Sequence, residues 1–290
     1  MSRDFRGRRV LRRRIDRWTH GLFLAAVGLA VGVLGVLLWD VLSGGVKHLD
    51  WQFLTSYASR FWQQAGILAP LAGSFYVIGL TALLALPLGI AAAVYLEFYA
   101  GDRWVNRLIQ TNIANLAGVP SIVYGLFGLA VLVRFLGFDR SVLSAALTMA
   151  FLILPAVIVN TQEALRAVPR TIIHGAYALG ATKWQTISTV VLPSAAGGIL
   201  TGAILALSRA LGETAPLITV GAWVFLTYLP KSPLDGFTVL PIQIWFWSSM
   251  PQQGFQELAA SAIIVLLIAL LSINSVAIIL RNKYQKKAEW

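Results

Sequence analysis

Cysteine is absent from the 290 residues, which excludes disulfides, thiolate metal sites and cysteine nucleophiles. Histidine is scarce: His20, His48 and His174 lie far apart in the chain and form no metal-binding cluster in sequence. Charge is scarce too, at 12%, where soluble domains carry about a quarter. In its place the chain is 58% hydrophobic, with a mean hydropathy of +0.74. Long uncharged runs with that composition belong to a membrane protein. The net charge of +11 sits at the chain ends and in short loops. It therefore reads as orientation in a bilayer and attraction to anionic lipid, with no nucleic-acid partner.

A helix crosses the hydrocarbon core with about 20 apolar residues, and six stretches approach that length. They are Gly21–Trp39, Ile67–Leu96, Ile113–Val133, Ser141–Gln162, about Ser194–Val224, and Leu258–Leu280. The expected fold class is therefore an all-α integral membrane protein of six transmembrane helices. The first run follows basic residues, as a signal peptide would. It exceeds the 7–15 residues of an h-region, and Trp39-Asp40 is a poor cleavage site, so a retained helix is expected. The resulting organisation is a cytoplasmic basic arm (1–17), a first helix (18–42), an extracytoplasmic loop (43–66), a core of five helices (67–281) and a cytoplasmic tail (282–290).

Lysine and arginine set the orientation. The N-terminal arm holds Arg3, Arg6, Arg8, Arg9, Arg12, Arg13, Arg14 and Arg17, and the tail holds Arg281, Lys283, Lys286 and Lys287. Two loops on the same side add Arg103, Arg107, Arg166, Arg170 and Lys183; the opposite side holds only Lys47, Arg60, Arg134, Arg140 and Lys231. Positive loops stay inside, so both termini are expected in the cytoplasm of a multi-pass inner (plasma) membrane protein.

Two segments are too long to be plain connections, the cytoplasmic loop 163–193 and the extracytoplasmic loop 226–256. The second carries Trp245, Phe246 and Trp247 side by side, suited either to the interfacial belt or to a partner. In the first, Ala176–Leu179 can form a helical turn, Gly180 a C-cap, and Trp184–Val191 a second apolar helix. Pro193 then opens the next span. Such a knob either rests on the bilayer or is gripped by another protein.

Arg209 and Glu213 lie inside the fifth span, in LSRALGETAPLI. A charge at the bilayer centre costs at least ~2.5–3.5 kcal/mol, so both residues must face protein or water. Spaced i,i+4, they can pair, although arginine before glutamate is the weaker order. Gly212 and Pro216 favour local unwinding at that depth. A guanidinium offers parallel N–H donors to a tetrahedral oxyanion, and Glu213 can neutralise it when the site is empty. The alternative is a structural ion pair joining two helices. Asn112, Asn115, Asn160 and Asn274 read as interhelical hydrogen-bond partners, Glu97 with Tyr95 and Tyr99 as a helix end at the interface, and Arg134 as a snorkelling side chain. An intramembrane enzyme would need a nucleophile–base pair or metal ligands that the spans lack. There is also no Gly-x-x-x-x-Gly-Lys-Ser/Thr loop, so any ATP must be used by a separate subunit.

The stretch His174–Pro193, HGAYALGATKWQTISTVVLP, resembles the cytoplasmic coupling loop of ABC-importer permeases. In that pattern Glu-Ala-Ala, three residues, Gly and nine residues precede Ile-x-Leu-Pro. Ala176, Gly180, Leu192 and Pro193 match and Val190 replaces Ile; His174 stands for Glu and Gly175 for the first Ala. The resemblance implies the type I, MetI-like permease fold. It also implies that His174, Gly175, Ala176, Tyr177, Ala178, Leu179, Gly180, Lys183 and Trp184 dock into a groove on a cytoplasmic ATPase. SRALGETAP, NLAGVPSIVYGLFGLAV, EALRAVPRTI and FTVLPIQIWFW followed by FQELAA resemble the A-type permeases of Pst phosphate importers, from about Leu71 to the end of the sixth span. That likeness implies a translocation site at Arg209, Glu213 and Thr214 and no cofactor on this chain, with ATP and magnesium used by the partner. The implied partners are a C-type permease, two ATPase subunits and an extracytoplasmic phosphate-binding protein, with a phosphate-sensing regulator and kinase also conceivable. Another oxyanion (sulfate, molybdate or a phosphonate), or a relay of phosphate status to a sensor kinase, are the competing expectations.

Overall fold

The computed structural model describes residues 4–101 and 103–285. The side chains of the basic arm and of Lys283, Lys286 and Lys287 lie outside the described residues, as do the lipid contacts expected of them. Among the described residues the regular elements are helical apart from one isolated bridge, Ser141 to Gly236.

The first helix, α1 (Asp4–Gly45), contains the apolar run Gly21–Trp39, and none of its most apolar window is buried within the chain. It is tied to the rest at its C-terminal end. There a Cβ on Gly45 would lie 2.7 Å from the Ala260 backbone, and Ser261 Oγ donates to Gly45 O at 2.7 Å. After α2 (Trp51–Thr55), N-capped by Asp50, α3 (Leu68–Val94) runs into a wider π-type turn, Tyr95–Tyr99. Pro87 sits inside α3, which membrane helices tolerate where neighbours re-satisfy the freed carbonyl.

The third expected span is broken. α4 (Trp104–Ala117) and α5 (Ser121–Phe127), the latter continued by a π segment (Gly128–Phe135), meet at 105°. The reason is local: Gly118 weakens the helix, and Pro120 removes a donor and pushes Val119 out of helical conformation. Among the described residues, five helices are long and apolar enough to cross a bilayer unaided; the bent pair, counted as one, makes a sixth.

The fourth span, α6 (Val142–Arg166), is the centre of the bundle, with two thirds of its apolar window buried. Its first-turn amides find loop acceptors: Val142 N donates to Asp235 O (3.0 Å) and Leu143 N to Pro233 O (2.7 Å). α3 packs on α6 closely enough for Thr81 Oγ1 to donate to Ala146 O at 3.2 Å. Then come α7 (Arg170–Ala178), α8 (Lys183–Thr186), a π segment (Ile187–Val191) and α9 (Leu192–Gly212). Small residues let α9 approach α6: a Cβ on Gly198 or Gly202 would lie 2.7 Å or 2.6 Å from Ala164 or Asn160, as membrane helix packing requires.

The fifth span ends earlier than the apolar run suggests, at Gly212 and not near Val224. The short α10 (Ala215–Val220) follows, closed by Gly221 at φ 99°. The long loop that follows then re-enters the protein. Phe237, Thr238 and Val239 are buried, and α11 (Leu240–Ser248) packs beneath α12 (Gln253–Gln285). Ser74 Oγ accepts from Leu240 N at 2.9 Å. The aromatic triplet is divided: Trp247 is buried in a core with Phe53 and Phe255, while Trp245 is half exposed. Gln243, its amide nitrogen toward Val224 O (3.1 Å) and its oxygen toward Trp247 Nε1 (3.0 Å), holds that core to the loop.

Candidate functional site

The fifth span breaks next to its charges. Glu213 is extended (φ −75°, ψ 126°), and its amide reaches back to Ala210 O at 3.2 Å. Arg209 therefore sits in the last turn of α9, where a cation complements the helix dipole. Arg209 Nε donates to Glu213 Oε1 at 3.2 Å. The two ends of the pair differ in exposure, with 59% of the Arg209 side chain open and only 19% of Glu213. Thr214 is half-buried, and its carbonyl accepts the first α10 amides, from Leu217 (3.1 Å) and Ile218 (3.0 Å). Next to Arg209, Ser208 Oγ donates a short hydrogen bond to Asn274 Oδ1 on α12, the interhelical link expected of Asn274. Asn112, by contrast, bonds to its own helix at Leu108 O.

Sequence reasoning missed what lies against this break. α10 packs on α5 just beyond the 105° bend. Gly125 lets it come so close that a Cβ there would lie 1.7 Å from Thr219 Oγ1 and 2.6 Å from Pro216 Cα. Two interrupted helices thus lie side by side, an arrangement that membrane transporters use where irregular backbone lines a binding cavity. The signal was present in Gly118-Val119-Pro120 but needed a partner to acquire meaning.

The segment from Arg170 to Thr186 is a helical hairpin. His174, Gly175, Ala176, Tyr177 and Ala178 lie on α7, which ends in a Schellman turn. Gly180 (φ 82°) donates to Tyr177 O at 3.0 Å and Ala181 to Ala176 O at 3.1 Å, as left-handed glycine caps do. Thr182 and Gln185 then form a reciprocal capping box that starts α8. This rigid corner projects Leu179, 91% exposed, and Trp184, 61% exposed, while Ile187 and Val191 anchor it in a core with Ala93, Leu165 and Ile199. Lys183 Nζ lies 4.7 Å over the Tyr99 ring, and Tyr99 stacks on Tyr95. Glu97 does more than end a helix: its Oε2 accepts from Arg166 Nε at 2.8 Å, tying α3 to α6.

Residues 85–289 match the family described as binding-protein-dependent transport system inner membrane component. The chain is 33% identical to the Bacillus subtilis protein named "Probable ABC transporter permease protein YqgI", over 94% of this chain and 97% of that one. It is 35% identical to the phosphate transport system permease protein PstA 1 of Mycobacterium tuberculosis, over 94% of this chain and 90% of that one. Its fold resembles a chain of the inward-facing MetNI methionine ABC transporter, with a TM-score of 0.61 at 16% identity, covering 75% of this chain and 97% of that one. A bundle of five apolar helices and a bent pair, an interrupted charged helix and a projecting hairpin thus come together in a chain that belongs to the binding-protein-dependent transport system inner membrane components, as an ABC-importer permease of the PstA kind.

Proposed function

We propose that this chain carries inorganic phosphate from the extracytoplasmic side to the cytoplasm, with Arg209 as the anion-binding group of the path. The observation that carries the reading is the open guanidinium at a helix break within a span. A charge facing lipid within a span is costly, so in this reading the face bearing Arg209 borders a second subunit and an aqueous path. Glu213 holds the cation when no anion is present and releases it to phosphate oxygens, while Thr214 stands at the unwound turn. Relatives named as phosphate permeases support phosphate as the cargo.

In this reading both termini are cytoplasmic, and a second permease subunit pairs with this one. A phosphate-binding protein delivers the anion, and two ATPase subunits use ATP and magnesium. The hairpin from His174 to Trp184 couples their movement to the bundle, with Leu179 and Trp184 the most projecting contacts, and transport proceeds by alternating access. The test is uptake of labelled phosphate by the assembled transporter in vesicles, with sulfate and molybdate as competing anions. Phosphate uptake that fails in Arg209→Ala while the complex still assembles is the expected result. Undiminished uptake by that variant removes the site, and preferential sulfate or molybdate uptake changes the cargo.

A further inference from the structure

A second cationic feature lies away from the membrane pair. The ends of α3 and α6 and the α7–α8 hairpin enclose a cleft of about 320 Å3, lined by Glu97, Arg166, Arg170, His174, Tyr177 and Lys183 over an apolar floor that includes Leu165 and Val168. Its one carboxylate, Glu97, is engaged by Arg166 at 2.8 Å. Among the described residues, Arg170 and Lys183 have no carboxylate partner. Folding therefore gathers two unneutralised cations and an imidazole around one concavity beside an ion pair that is already closed. Like charges held together repel, and the group that relieves them is an anion. A planar guanidinium fork with an ammonium point charge suits the several oxygens of a phosphate group, and the volume is at the small end of ligand pockets. Leu179 and Trp184, the most exposed apolar side chains of the hairpin, do not line the cleft, whereas His174, Tyr177 and Lys183 do; a partner that grips the tip through Leu179 and Trp184 leaves the inner face of those three to a small ligand.

We propose that the cleft is a cytoplasm-facing site for a phosphate group, carried by free inorganic phosphate or by an anionic phospholipid headgroup. Occupancy braces the α7–α8 hairpin against the ends of α3 and α6. On the cytoplasmic side this makes the hairpin responsive either to delivered phosphate or to the lipid around it. The site does not depend on Arg209 or on the identity of the cargo.

The test is hydrogen exchange of residues 170–183 in the full chain, assembled with its partner subunits in phosphatidylcholine nanodiscs without ATP. Slower exchange on adding inorganic phosphate identifies the free anion. Slower exchange on introducing phosphatidylglycerol, with phosphate absent, identifies the headgroup. Arg170→Gln with Lys183→Gln weakens the effective probe about tenfold or more, the loss expected from charged hydrogen bonds. Glu97→Gln frees Arg166 and strengthens binding. Native protection across α6 and α9 in these variants, and recovery by Arg170→Lys with Lys183→Arg, separate lost binding from lost folding. Arg209→Ala leaves the effect unchanged. Three results overturn the proposal: no protection by either probe, protection undiminished in the folded double variant, or an equal loss in Arg209→Ala.

Discussion

Arg209 illustrates how little a residue's type says without its position on the helix. Read in sequence, it opens an i,i+4 pair in the weaker order. In the structure the helix has ended, so the guanidinium complements the carbonyl end of α9 and reaches a carboxylate already outside it. Arg209→Lys keeps the charge and loses the planar fork. We expect phosphate uptake to fall about tenfold to a hundredfold, the equivalent of one or two charged hydrogen bonds, measured as initial rates in vesicles. A second residue-scale effect concerns Asp235, whose carboxylate accepts from Lys231 N (2.7 Å) and Ser232 N (2.9 Å). These bonds hold its pKa below the ordinary carboxylate value. A depressed pKa means that the stabilisation is present above the unfolded-state value and is lost as pH falls through the folded one. Amide protection of Lys231 and Ser232 should therefore be full at neutral pH and disappear on strong acidification, and Asp235→Asn should remove that dependence.

At the scale of elements, the interrupted helices matter more than the straight ones. α10 and α5 interlock through Gly125, where a side chain has no room against Thr219 and the Pro216 backbone. Gly125→Val should separate them, destabilising the fold by on the order of 1–3 kcal/mol as overpacking does and lowering transport. The check is thermal unfolding of the purified chain alongside uptake. The hairpin presents the opposite case. Leu179 touches little of its own chain, so Leu179→Asp should leave thermal stability within about 0.5 kcal/mol, the usual range for surface changes. Under the proposed coupling role it should nevertheless sever ATP hydrolysis from uptake. Stability and coupling measured on one preparation distinguish those effects.

For the whole molecule, the absence of cysteine turns topology into a direct measurement, because any introduced thiol is the only one. Ser59→Cys and Gln252→Cys should react with a membrane-impermeant maleimide from the extracytoplasmic side, and Thr182→Cys only from the cytoplasmic side. The reverse pattern would invert the proposed orientation. α1 poses the other question at this scale. It is fastened at its C-terminal end through Gly45, whose missing side chain admits the α12 backbone. Gly45→Leu should loosen α1 while leaving the α3–α6–α9 core intact, seen as faster proteolysis near 43–48 without loss of core exchange protection.

Much of this was legible in the residues alone. Apolar runs of bilayer length, the lysine and arginine bias and the glycine-capped hairpin are local or compositional signals, and hydrophobic transfer and cap geometry read them without knowledge of neighbours. The presence of Arg209 and Glu213 in one apolar run was equally plain, as was the weakness of the helix at Gly212 and Pro216; that the helix ends between them was not. Other features were settled by contacts between segments distant in sequence. Gly118-Val119-Pro120 permitted a bend, but packing against α6 and α10 decided its place in the bundle. Trp245 and Trp247 differ by two positions and have opposite fates, because the re-entrant loop turns only one of them toward Phe53 and Phe255. The Glu97–Arg166 pair and the cationic cleft join residues some seventy positions apart. A linear pattern carries the free energy of leaving water and of making a turn, whereas which buried faces meet depends on the shapes that the other helices bring to them.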